Sequence, residues 1–75
     1  MLDPRLKTFI VIAECGSFNK ASEKLYMTPP SVMKQMDSLE AHLQMKLIER
    51  TSRGVKLTDA GQSIYQDAKR MSAMS

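Results

Sequence analysis

Lys46, Arg50, Arg53 and Lys56 fall within residues 42–57, where Glu49 is the only acid. Four positive charges against one negative make that segment +3, which equals the net charge of the whole 75-residue chain. Cations gathered this way suit a phosphate-bearing polyanion, although a modest overall excess is weak evidence by itself. A further cation, Lys34, stands apart from this group in TPPSVMKQMDSLE, residues 28–40. Covalent chemistry has little to work with. Cys15 and His42 are the only nucleophilic pair and nothing in the sequence places them together, so no catalytic residue is expected and an enzyme is disfavoured. One cysteine cannot close an internal disulfide, and no cysteine and histidine cluster has metal-ligand spacing. The expectation is a metal-free, cofactor-free protein of the reducing cytoplasm. The longest apolar run, Phe9 to Ala13, is far short of the roughly 20 residues of a membrane span, and MLDPRLK lacks the apolar core of a signal peptide.

The elements that must carry these cations can be read from periodicity. Leu6, Phe9, Ile10 and Ala13 recur at i, i+3, i+4 and i+7, which predicts an amphipathic helix over residues 4–15, opened by Pro4 and closed by Gly16. Ser17 then caps a second, shorter helix with Phe18, Ala21 and Leu25 on one face and Lys20, Glu23 and Lys24 in water. Tyr26 and Met27 form the turn. Thr28 is a good N-cap for a third helix, and Pro29 and Pro30 occupy its first two positions, where backbone N–H groups have no intrahelical acceptor. Since Pro30 has no N–H, the Thr28 hydroxyl is expected to accept from the backbone of Ser31.

Val32, Met36, Leu39 and Leu43 form a narrow stripe on this third helix, its core face. The opposite side carries Pro30, Lys34, Asp37 and Ala41, with Met33 and Ser38 on the two flanks. Residues 47–50 (LIER) and 55–57 (VKL), separated by TSRG, predict a β-hairpin with Arg53 at its tip and Gly54 free to take positive φ. Thr58 and Asp59 begin a fourth helix with Ile64, Ala68 and Met71 on its inner face. Met71 and Met74 read as packing or dimer contacts, and Gly61, costly inside a helix, implies a close backbone approach, with the first helix as the expected neighbour.

Helix, helix, tight turn, helix, hairpin is the order of a mainly α winged helix-turn-helix, with a three-helix core, a β-hairpin wing and a C-terminal linker helix. In such a fold the helix after the turn lies in the DNA major groove. The rival reading is a winged-helix protein-interaction module with weak or no DNA binding. The motifs bear on this choice: GSF followed by KASEKL, then SVMKQMDSLE, LIER and RGVKLTDAG, at these mutual spacings, resemble the N-terminal DNA-binding domain of LysR-type transcriptional regulators over nearly the whole chain. The resemblance implies a winged helix-turn-helix over residues 1–58 and, over 59–75, the start of a linker helix that pairs subunits into a homodimer or higher oligomer. A small-molecule effector would belong to a C-terminal domain absent from these residues, and double-stranded DNA is the implied partner.

By the same resemblance the recognition helix is residues 29–43. Pro29, Pro30, Ser31, Met33 and Lys34 stand at its DNA-facing positions, with Arg50 and Arg53 at the hairpin contacts. The family commonly has a polar residue in place of Pro29 and a serine in place of Met33, so hydrogen-bonded base readout does not carry over to those two. Lys34, at the centre of the face opposite the core stripe, suits a phosphate or a guanine. Arg50 and Arg53 beside a glycine turn suit phosphate or the minor groove. Ser17 and Thr28 are caps first, with phosphate contact as a second role, and Gln35 is placed to bond across the fold toward the hairpin.

Overall fold

The computed structural model describes residues 3–73; Met74, read above as a packing or dimer residue, lies outside the described residues. Four helices and one hairpin follow in the order α1 (Pro4–Cys15), α2 (Phe18–Leu25), α3 (Pro29–Leu43), β1 (Ile48–Thr51), β2 (Gly54–Leu57) and α4 (Asp59–Ala73). Asp3 caps α1 by accepting from the backbone of Arg5, and Gly16 closes it in the left-handed region at φ 71°. Hydrogen bonds from the Arg5 side chain and backbone hold the Asp3 carboxyl down at about 2, and the same guanidinium reaches Ser38 of α3 at 2.8 Å. Ser17 caps α2 as expected, accepting from Lys20 N–H at 3.3 Å.

The core is one cluster in which Phe9, Ile12, Ala21, Val32, Met36, Leu39, Leu47 and Ile48 are buried. The α3 stripe matches expectation, with Val32, Met36 and Leu39 buried and Leu43 half-buried. The α1 stripe is displaced. Ile12, outside the expected set, is fully buried, whereas Leu6, Ile10 and Ala13 are half-buried. The reason is tertiary: α1 packs against α2, α3, α4 and β2, so it is covered on several sides. On α4, Ala68 is buried and Ile64 half-buried, but Met71 is half exposed and does not belong to the inner face. Tyr65 and Lys69 strap α4 to α1 through the Glu14 carboxylate, at 3.2 and 3.0 Å. The Lys69 ammonium, aided by the Tyr65 hydroxyl, lowers the Glu14 pKa.

The hairpin is antiparallel, pairing Ile48 with Leu57 and Thr51 with Gly54, one residue later on β1 and one earlier on β2 than expected. Ser52 and Arg53 form its two-residue turn, with Gly54 at φ 125°. The Thr51 hydroxyl stiffens that turn by accepting from Arg53 N–H and donating to the Gly54 carbonyl.

Two anchorages fix the hairpin to the helices. Near the tip, Val55 N–H donates to the Gly16 carbonyl at 2.9 Å, and that carbonyl lies so close to Gly54 that a Cβ there would collide with it. At the root, Glu40 of α3 is buried and one of its carboxylate oxygens accepts from the backbone N–H groups of Leu47 and Ile48, at 2.7 and 3.2 Å. Thr58 donates its hydroxyl to the Lys46 carbonyl at 2.6 Å and accepts from Gly61 N–H at 3.0 Å. Gly61 does mark a close backbone approach, but its neighbour is the Leu47 carbonyl rather than the first helix. Gln35 likewise bonds across the fold to Thr8 of α1, not to the hairpin.

Candidate nucleic-acid interface

The outward face of α3 begins with the two prolines. Both sit in the first turn, which removes two N–H groups that would otherwise be free to bind an anion. Thr28 is extended at φ −79°, ψ 152°, as a residue before proline must be, but its side chain makes no cap to the helix backbone. Its hydroxyl instead donates to Ser31 Oγ at 2.9 Å, which corrects the expectation of a backbone cap. With no N–H on Pro30, the two hydroxyls pair with each other and both remain at the exposed helix start.

Pro30, Ser31, Lys34, Asp37 and Ala41 are exposed along this face, and Pro29 and Met33 are half-buried at its margin. Among the described residues no carboxylate pairs with Lys34 or with Arg53, the latter standing exposed in the hairpin turn. Arg50 differs. It shares a sheet face with buried Ile48, two residues away, so its side chain is directed back toward the helices. There its guanidinium lies 5.0 Å from the centre of the Phe18 ring and 3.7 Å from the Asp37 carboxylate. Ser17, Phe18, Arg50 and Thr51 line a shallow cleft between the start of α2 and the hairpin.

Ser17 and Arg50 are thus brought together, as are Thr28 and Ser31, while Arg53 stands apart at the tip. Sequence reading missed three residues: Glu40, Phe18 as a partner for Arg50, and Asp37 as its counter-ion. Glu40 carried a signal, because a glutamate four residues after Met36 and one after Leu39 adjoins the core stripe and needs a buried partner. Cys15 is half-buried at the end of α1 and His42 is exposed near the end of α3.

Three helices, a tight turn before the third, and a hairpin locked beside it define a winged helix-turn-helix. The family model for bacterial regulatory helix-turn-helix proteins of the lysR family matches residues 4–62. The chain is 44% identical over 66 residues to an HTH-type transcriptional regulator encoded in the ibpB-leuC intergenic region of Azotobacter vinelandii, covering 88% of this chain and 46% of that protein. It is 42% identical over 67 residues to the transcriptional regulator TcbR of Pseudomonas sp. strain P51, covering 89% of this chain and 23% of that one. Its structure superposes on the crystal structure of the CbnR DNA-binding domain in complex with DNA with a TM-score of 0.89 at 39% identity, over 99% of this chain and 85% of that one. The chain belongs to the LysR family of transcriptional regulators and corresponds to the helix-turn-helix DNA-binding domain of that family. It spans less than half the length of the two relatives.

Proposed function

We propose that α3 enters the major groove with Pro29, Pro30, Ser31, Met33 and Lys34 toward the bases, while Arg50 and Arg53 meet the neighbouring backbone or minor groove. Ser17 and Thr28 add hydroxyl contacts to phosphates. Residues 1–58 are the DNA-binding unit and α4 begins the linker through which two chains pair. In the whole protein, a cytoplasmic homodimer, effector recognition falls to a further domain.

The observation that supports this most is Lys34: exposed, without a carboxylate partner among the described residues, and central on the α3 face opposite the core. A lysine there can donate to guanine O6 and N7, a contact worth about 1–3 kcal/mol of discrimination. Sequences are first selected by the parent protein from a random duplex pool. Lys34→Ala is then expected to lose binding to the selected site by that amount and to become indifferent at one base pair. Equal enrichment by parent and variant would remove Lys34 from base reading, and no duplex binding by the parent at low salt would favour a protein-contact module instead.

A further inference from the structure

Arg50 is engaged on two sides before any DNA arrives. The Phe18 ring lies under its guanidinium and the Asp37 carboxylate beside it. Asp37 is on the same exposed α3 face as Lys34, three residues further along, so an acid stands between two cations that the proposed function assigns to DNA. The 3.7 Å separation is longer than a charge-assisted hydrogen bond, and the two side chains are 51% and 67% exposed, so the pair is weak and readily exchanged.

We propose that Asp37 is a positioning residue that holds Arg50 on the protein, so that DNA binding requires this arginine to exchange a carboxylate for a phosphate and Asp37 acts as a brake on affinity. The inference rests on the reading of Arg50 as a DNA contact. When Arg50 moves to a phosphate it gives up its Asp37 partner, so the affinity it contributes is lowered by the free energy of that exposed pair. The cation released from the phosphate is the same with or without Asp37, so the brake acts on affinity rather than on its salt dependence. The Phe18 ring remains as the pivot, because a ring face attracts a guanidinium whichever anion it also meets.

The test is a two-by-two set of parent, Asp37→Asn, Arg50→Ala and the double variant, titrated with labelled duplexes of random and of selected sequence across a range of salt. Circular dichroism checks that each is folded. Asp37→Asn is expected to bind every duplex about two- to five-fold more tightly, the range of an exposed ion pair, with little change in the dependence of log K on log salt. The gain should vanish in the Arg50→Ala background. A gain that persists without Arg50 would mean that Asp37 repels phosphate directly, and a gain confined to particular sequences would mean that it faces a base; either overturns the proposal. If Arg50→Ala leaves the parent's affinity unchanged, the reading of Arg50 itself fails, and the brake with it.

Discussion

The outward face of α3 and the wing present opposite chemistries. The helix face offers two prolines, a methionine, one lysine and one aspartate, and its first turn lacks two backbone donors. The wing offers Arg50, Arg53 and Lys56 against Glu49, which lies directly across the ladder from Lys56. Phosphate contacts supply affinity without sequence information, whereas base edges supply discrimination. Under the proposed function this chain divides those duties between two elements, with the wing carrying charge and the helix offering shape and apolar contact. Such a division works only if the elements keep a fixed relation, and that relation is set by backbone groups of the loop between them.

The largest effect should therefore come from breaking the joint rather than either surface. Glu40→Ala orphans the buried N–H groups of Leu47 and Ile48 and is expected to cost about 2–6 kcal/mol of stability, since each unsatisfied donor costs about 1–3. Glu40→Gln keeps an acceptor oxygen and should recover most of the loss. Chemical unfolding measures both, and equal stability of Glu40→Ala and the parent would show that the wing root is held by other means.

Next is the wing alone. Arg53→Ala is expected to weaken binding to all duplexes by a similar factor and to lower the salt slope by about 0.9, the signature of one lost phosphate contact. If the side chain enters the minor groove, the loss is larger on A·T-rich flanks, where that groove is narrow and more negative. Unchanged affinity and slope would leave the wing's charge to Arg50 and Lys56.

How far the sequence foretold this arrangement depended on whether a feature is local. Helix starts at Pro4, Ser17, Pro29 and Thr58 were legible because proline and hydroxyl side chains act within one turn. The ends of α2 and α3 fall where expected, at Leu25 and Leu43, even though Tyr26 and Gln44 close them in the left-handed conformation, at φ 55° and 56°, without a glycine to announce it. Ile12 escaped notice because α1 is covered on several sides by other elements, so its burial does not follow one amphipathic face. Gly61 signalled a close approach without revealing to what. The Arg50, Asp37 and Phe18 arrangement joins three elements separated along the chain, and no spacing rule reports such a contact. Family resemblance supplied the proposed DNA-facing positions, but it could not say that this chain's aspartate on that face would engage its own wing.

The smallest effect is the sharpest probe of the helix side. Met33 is half-buried at the margin of the α3 face and has only a weakly accepting thioether, so it cannot donate to a base. In the major groove an apolar side chain can still recognise the thymine methyl. With Pro29 and Pro30 also apolar, base preference over this end of the helix is expected to favour T, and Met33→Ser should reduce that preference at one or two positions. The serine restores a donor, so a shift toward a base with a groove acceptor is the expected replacement. Overall affinity changes little and the salt slope stays the same, because no phosphate contact is touched. That constancy separates the result from anything done to the wing, where slope and affinity move together. Selection from a random duplex pool compares the two proteins directly. If parent and Met33→Ser enrich the same sequences, Met33 does not read bases, and discrimination on this face falls to Lys34 and the hydroxyl of Ser31.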